Sequence, residues 1–404
     1  MRPPLGSAMP DGIYNNPLTQ PALIPLKPKD YLLIMARRKG LIPFLILYPL
    51  SLLYGLGVAV RNMMFDKGIL KQRKFNIPVI AVGNLTVGGA GKTPHSEHII
   101  EILKGEYRIG LLSRGYKRNT KGFVLAGANS RPQDIGDEPY QMYRKFSHDG
   151  VMVAVCESRV KGIETMLELN PTLNLIVLDD AFQHRYVKPT VSVVLTEHSR
   201  PVYNDSLLPY GRLREPARAL DRADVVVMTK CPDEMKPVDF RIFKETFNLF
   251  PFQKLLFTRY KYLLPKALFP ENVIPESTLD MGCLTREDTL LAVTGVANPR
   301  PFIRYLRSHY KAKVKILRFE DHHNFTNSDM QSILRKYNNM EGRHRYVVTT
   351  EKDAVRLANN PYFPPQLRGF AYYIPIAVEQ IQSGDPPLAN ILRQLIRNQG
   401  SIRS

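Results

Sequence analysis

At 404 residues the chain is long enough for two domains with separate cores, since single cores rarely grow far past ~250–300 residues. Its 44% hydrophobic and 23% charged content excludes a disordered or fibrous protein. Lys and Arg outnumber Asp and Glu by 56 to 37, and the net +19 calls for an anionic partner: nucleic acid, a phosphorylated substrate or an acidic membrane surface.

Residues 1–30, rich in Pro and Asn, read as a loose extension, with Met9 and Met35 as alternative starts. In segment 31–74 an uncharged run, 40–60, approaches the ~20 residues that cross a bilayer. Pro43, Pro49, Gly55 and Gly57 interrupt it, and Arg37, Arg38 and Lys39 precede it. Arg61, Lys67, Lys71, Arg73 and Lys74 follow, against the single acid Asp66. Such a cationic apolar stretch predicts an interfacial or half-inserted helix attracted by anionic lipid. A full span and a buried core helix are the competing readings. A signal peptide is disfavoured, because the run starts late in the chain.

Short β-branched runs then recur at 77–82, 109–112, 151–155, 173–178, 191–195 and 225–228, with helical stretches between them. They predict buried parallel strands of an α/β sheet. A second series, 290–293, 314–319, 346–349 and 372–376, follows a Pro-rich connector at 262–277. The boundary is placed near Cys283, giving a core at 75–283 and a smaller α/β domain at 284–404. Cys156, Cys231 and Cys283 form no CxxC pair, so neither a disulfide framework nor a cysteine zinc site is indicated, and a reducing cytoplasm fits.

The first strand runs straight into Gly83-Asn84-Leu85-Thr86-Val87-Gly88-Gly89-Ala90-Gly91-Lys92-Thr93. A buried strand delivering a glycine-rich turn ahead of a helix is the setting of a P-loop. Backbone N–H groups across Thr86, Val87, Gly88, Gly89, Ala90 and Gly91 would wrap phosphate oxygens at a helix N-terminus. Lys92 would reach the β- and γ-phosphates, and the Thr93 hydroxyl would ligate Mg²⁺. The usual GxxxxGK[ST] pattern has glycine where this chain has Thr86; three other glycines compensate.

The run at 173–178 ends in Asp179-Asp180, where a P-loop fold places a metal or water ligand beside the phosphates; a helix-capping aspartate is the alternative. Gly136-Asp137-Glu138-Pro139 reads equally as a helix start and as chemistry. Asp321-His322-His323 has poor metal-ligand spacing and is as compatible with a surface turn. Pro209–Pro216 sets Arg212, Arg214 and Glu215 between prolines, which suits a phosphate or sugar clamp as well as a solvated loop. Arg114, after a strand end, is placed to meet an anionic head group.

Taken in order, GNLTVGGAGKTP (83–94), LLSRGYKR (111–118), GDEP (136–139), LDDAFQHR (178–185), PYGRLREP (209–216), VVMTKCP (226–232), TGVANPRPF (294–302), FEDHHNF (319–325) and TTEKDAV (349–355) resemble the motif set of the tetraacyldisaccharide 4'-kinases. The match runs from about residue 31 to 355, with alanine at 90 and phenylalanine at 325 as departures. The resemblance implies a P-loop kinase core, mainly parallel, hinged to a smaller α/β domain and preceded by a membrane-associated helix at the cytoplasmic face of the inner membrane. It implies ATP and Mg²⁺ as cofactors, and Asp137 as the base with His322 orienting it. Lys92, Arg214 and Glu215 then belong to the catalytic set, and Thr93, Asp179 and Asp180 to the metal. Asn84, Arg114, Glu138, Gln183 and His184 face the substrate.

The implied reaction is transfer of the ATP γ-phosphate to the 4'-hydroxyl of a tetraacyl glucosamine disaccharide 1-phosphate in lipid A biosynthesis. Expected partners are that lipid and the anionic membrane surface, with no nucleic acid and no obligate protein partner. Two rivals are another P-loop ligase or assembly chaperone, and a basic nucleic-acid-binding module. The latter lacks an RNP motif, helix-turn-helix spacing and any Trp.

Overall fold

Six consecutive residues of the strand before the glycine-rich turn, β1 (Val79–Asn84), are all buried, and their two faces feed different cores. Ile80 and Val82 pack with Ile99, Ile100 and Leu103 of the next helix. Val79 and Ala81 pack on the opposite face with Ile163 and Met166. That period of two, apolar on both faces, marks a central strand with helices on either side, each fully buried Ile or Leu contributing roughly 1.5–3 kcal/mol. The computed structural model describes residues 41–272, 284–321 and 323–401. The extension 1–30, Arg37, Arg38, Lys39, Cys283, His322 and the end of the expected connector lie outside them.

In chain order the elements are α1 (Leu41–Asp66), β1, α2 (Lys92–Leu103), β2 (Ile109–Ser113), β3 (Val124–Leu125), α3 (Pro132–Ile135), α4 (Asp137–Phe146), β4 (Met152–Val155), α5 (Arg159–Leu169), β5 (Leu175–Leu178), β6 (Val191–Glu197), β7 (Val225–Thr229), α6 (Pro237–Phe247), β8 (Lys254–Tyr262) and β9 (Lys266–Ala267). Then come β10 (Thr289–Thr294), α7 (Arg300–His309), β11 (Lys313–Arg318), α8 (Asn327–Asn338), β12 (Arg345–Thr350), α9 (Glu351–Ala358), β13 (Ala371–Ile374), β14 (Ile376–Ile381) and α10 (Leu388–Ser401).

Among the described residues the strands form a nine-stranded sheet, β14-β8-β7-β6-β1-β5-β2-β4-β3, and a five-stranded sheet, β11-β10-β12-β13-β9. The large sheet is parallel from β4 to β8, with antiparallel edges at β3 and β14. β1 lies between β5 and β6, where the direction of winding reverses, so the loop at its C-terminal end opens into the crevice that binds ligands in such sheets. In the small sheet, Leu291 and Val293 of β10 pack on Met330 and Ile333, whereas Leu290 and Ala292 pack on Phe302, Ile303 and Leu306.

The expected boundary near 283 does not follow sheet membership. β9, before it, pairs with β13 of the small sheet, and β14, far beyond it, pairs with β8 of the large one. α10 then packs Leu388, Ile391 and Leu392 into the β1 core. Composition marked a Pro-rich break, but the chain crosses between sheets twice. β8 and β14 escaped notice because charged residues dilute their apolar runs; Arg259 and Glu379 face each other across the pair at 2.7 Å.

The chain divides at Pro49 into two compact units, Leu50–Ser404 being the larger. By length and composition α1 is apolar enough to cross a membrane. Leu45, Ile46, Leu52, Leu53 and Leu56 are exposed along it. Within the larger unit its other side is polar and bonded: Ser51 donates to the Leu207 carbonyl at 3.0 Å, and Tyr54 to that of Arg214 at 2.9 Å.

Candidate active site

The glycine-rich loop leaves β1 alongside the Pro209–Pro216 segment. Val87 N–H donates to the Arg212 carbonyl at 2.8 Å, and Arg214 N–H donates to that of Leu85 at 2.7 Å. Gly91 then turns the chain at φ +89°, and a Cβ there would run into the Tyr260 hydroxyl, so alanine is both strained and blocked. α2 starts at Lys92.

Three side chains hold the loop from behind. The Gly89 carbonyl accepts from Lys230 Nζ, that of Ala90 from Thr229 Oγ1 at 2.9 Å, and that of Gly91 from His95 Nδ1 at 2.7 Å. Because a trans peptide sets N–H opposite C=O, the last two bonds turn the N–H groups of Gly91 and Lys92 the other way, as phosphate binding requires. A carbonyl can only accept, so His95 carries its proton on Nδ1, and Nε2 accepts from Thr258 at 2.9 Å. Burial lowers its pKa to about 4, which keeps the ring neutral.

Asp179 and Asp180 follow β5, and their environments drive them apart. Asp179 is 2% exposed, accepts from Ser96 Oγ at 2.8 Å, and is pushed up to about 7 by burial and by the charges of Glu138 and Asp180. Beneath it the buried Arg159 donates to its carbonyl at 3.0 Å. Burial acts the same way on Asp180, but Lys92 and Arg214 outweigh it and hold that carboxyl below its usual range. Asp180 Oδ1 lies 3.6 Å from Lys92 Nζ and 3.2 Å from Arg214 Nη2.

Arg214 also donates to the Asn84 carbonyl at 3.0 Å and to its side chain, and Lys92 reaches Asn84 Oδ1 at 3.2 Å. Gln183 Nε2 donates to the Asn84 carbonyl at 2.8 Å. Asn84, Lys92, Asp180, Gln183 and Arg214 thus form one polar cluster. Glu215, next to Arg214, turns the other way: it is buried, accepting from Arg222 at 2.8 Å and from Asn62 of α1 at 2.9 Å. His184 is lowered to about 4 by burial, then by the positive charges of Arg159, Arg61 and Arg114. Buried Gln183 Oε1, His184 Nδ1 and Arg214 Nε have no hydrogen-bond partner among the described residues. Such orphaned donors and acceptors suit a polar ligand.

Asp137 opens α4 after Gly136, whose φ of +93° strains any side chain and where a Cβ would come within 3.0 Å of the Tyr116 carbonyl. Its partner comes from the small sheet's side: Arg356 of α9 donates from Nε at 2.8 Å and from Nη2, both to Oδ2. At the other end of α4, Lys145 bonds Glu97 of α2 and stands 3.8 Å from Glu351 of α9. In the 319–325 motif, His323 pairs with Asp329 at 2.9 Å and Asp321 with Lys352 at 3.4 Å. His322 lies outside the described residues. Arg159, His95, Thr229, Lys230 and Arg356 were not singled out from sequence; only the 226–232 motif gave a signal, and it named no role.

A family model described as tetraacyldisaccharide-1-P 4'-kinase matches residues 43–397. The chain belongs to the tetraacyldisaccharide 4'-kinase family. It is 45% identical over 342 residues to the tetraacyldisaccharide 4'-kinase of Bacteroides thetaiotaomicron, covering 83% of this chain and 89% of the relative. The Flavobacterium johnsoniae tetraacyldisaccharide 4'-kinase is 41% identical, with 82% and 91% covered. The crystal structure of the "apo" form of the Aquifex aeolicus family member in complex with ATP aligns with TM-score 0.64 at 27% identity, covering 86% of this chain and 98% of that one. Membership in the tetraacyldisaccharide 4'-kinase family makes the chain an ATP-binding phosphotransferase with an alcohol acceptor, a kinase of lipid A biosynthesis, rather than a ligase or assembly chaperone.

Proposed function

We propose that the chain works at the cytoplasmic face of the bacterial inner membrane, with α1 against anionic lipid. There it would move the γ-phosphate of MgATP to the 4'-hydroxyl of a tetraacyl disaccharide 1-phosphate. The observation that carries this reading is the Arg214 guanidinium touching both Asn84 and Asp180, which joins the glycine-rich loop, the acidic pair and the 209–216 segment in one site.

ATP phosphates on the loop take Lys92 and Arg214 as counter-charges, in exchange for part of their pairing with Asp180. Two carboxylates and the Thr93 hydroxyl are hard oxygen donors, which fits a Mg²⁺ held largely by nucleotide phosphates. Asp180, already ionised, and Asp179, which gives up its proton near neutrality, would hold the ion with Thr93. When bound, Mg²⁺ neutralises charge on the β- and γ-phosphates. Gln183 and His184 would orient the sugar, Arg114 would meet the lipid's 1-phosphate, and Glu138, whose charge acts on Asp179, would face the substrate beside the acidic pair. Glu215 fixes the loop that carries Arg214, through Asn62 and Arg222.

In the transfer the 4'-oxygen forms its bond to the γ-phosphorus as the bond to the β,γ-bridging oxygen breaks. Its electron pair leaves on ADP, and Asp137 takes the hydroxyl proton. Positioning and charge neutralisation supply most of the acceleration. His322 is the proposed partner of that base.

The test is transfer of labelled γ-phosphate to purified tetraacyl disaccharide 1-phosphate in detergent micelles, with Lys92→Ala alongside. Lys92-dependent formation of a bis-phosphorylated lipid supports the reading. ATP binding without transfer to this lipid contradicts it.

A further inference from the structure

α9 belongs to the small sheet's side of the molecule and starts directly after β12. Its first turn is fixed there: Asp353, fully buried, accepts from Thr350 Oγ1 at 2.8 Å and from the Gly295 N–H at 2.9 Å. One turn on, Arg356 leaves that side and reaches Asp137, 219 positions earlier in the chain, with its side chain only 7% exposed.

The geometry of this pair is specific. Two guanidinium nitrogens, Nε and Nη2, converge on the single oxygen Oδ2. Two donors of one planar group on a single oxygen fix where Oδ2 sits relative to α9 more closely than a point charge such as lysine does. α4 and α9 run antiparallel along this seam. Asp137 meets Arg356 at one end, with Tyr140 donating to Asn359 at 3.3 Å nearby, and Lys145 stands by Glu351 at the other. Lys145 also bonds Glu97 on α2, the helix that starts at the glycine-rich loop. Seating of α9 is therefore read at both ends of α4.

We propose that Arg356 is a positioning residue for the Asp137 carboxylate, so that the base is oriented for proton transfer only when the small-sheet side is docked on α4. This rests on the assignment of Asp137 as the base. Arg356 acts through Asp137; it is not assigned to substrate.

The experiment is a double-mutant cycle on labelled-phosphate transfer, with Arg356→Met, Arg356→Lys, Asp137→Asn and Asp137→Asn/Arg356→Met. kcat and KM for ATP and lipid are measured for each, with a melting curve. Arg356→Met is expected to lower kcat by roughly 10- to 100-fold, the range for a misplaced catalytic group, with both KM values within about threefold. Arg356→Lys should recover part of that loss. In the Asp137→Asn background Arg356→Met should cost nothing further, because the group it acts through is gone.

A loss that multiplies in full on top of Asp137→Asn overturns the proposal, as does an unchanged kcat, or a rise in KM alone that makes Arg356 a substrate ligand. If Arg356→Met fails to fold, Arg356→Lys carries the test: a lowered kcat with an unaltered melting curve supports the proposal, and a parental kcat overturns it. Near-parental turnover by Asp137→Asn overturns instead the base assignment beneath it.

Discussion

Between residues 84 and 93 one strand and one helix set the whole glycine-rich loop and Lys92, whereas the orientation of Asp137 depends on Arg356, 219 positions further on. The glycine-rich loop is a local object, braced from behind by β7 and α2. The carboxylate at 137 is a composite, complete only when two sheets are seated together. The difference teaches that nucleotide binding and proton transfer are separable in this molecule. Changes in the loop alter both, and changes at the seam alter the second.

The sharpest way to break that division is Lys92→Ala. It removes a cation from both phosphate and Asp180, so kcat/KM for transfer should fall by roughly 10³-fold or more. Steady-state transfer with labelled ATP measures it, and a loss below tenfold would mean that the loop is not the phosphate site.

Thr229→Val comes next. It removes the hydroxyl that holds the Ala90 carbonyl, and the lost hydrogen bond should raise KM for ATP by roughly 3- to 10-fold, with kcat within about twofold. Thr229→Ser should restore the parental value, whereas a fall in kcat at constant KM would contradict the brace.

The smallest effect is expected at Glu351, the end of the seam away from Asp137. Burial and the charge of Glu97 push the Glu351 carboxyl up to about 7, above the ~4.3 of a free glutamate. The folded state therefore binds this proton more tightly. Its stabilisation is full below the free value and is lost as pH rises through about 7. Glu351→Gln should melt with the parent at pH 5 and roughly 2 °C above it at pH 8.5. Scanning fluorimetry at the two pH values checks this, and an equal gap at both would mean that the carboxyl is not proton-bound when folded.

Legibility in the sequence followed the same division. The strand, glycines, Lys92 and Thr93 are consecutive, so residue types alone showed the loop and pointed to ATP binding, and runs such as 191–195 and 225–228 showed the parallel sheet. Glu215 read as Arg214's partner in the site, yet it faces Asn62 and Arg222, because neighbours on an extended loop point to opposite sides. Arg159 sits at the start of a helix among charged residues, and nothing local distinguishes a buried arginine there from a solvated one. Arg356 was invisible for a related reason: its meaning lies in a contact made by tertiary packing. The crossings of β9 and β14 between sheets were hidden likewise, since composition marks a break without saying which sheet the chain joins next.

The most direct test of the central claim is single-turnover transfer by Asp137→Asn, with ATP affinity measured separately on the same protein. An ATP dissociation constant within about threefold of the parent, with transfer slowed by at least roughly 10²-fold, is the predicted result. Transfer at the parental rate would show that Asp137 takes no proton in this reaction.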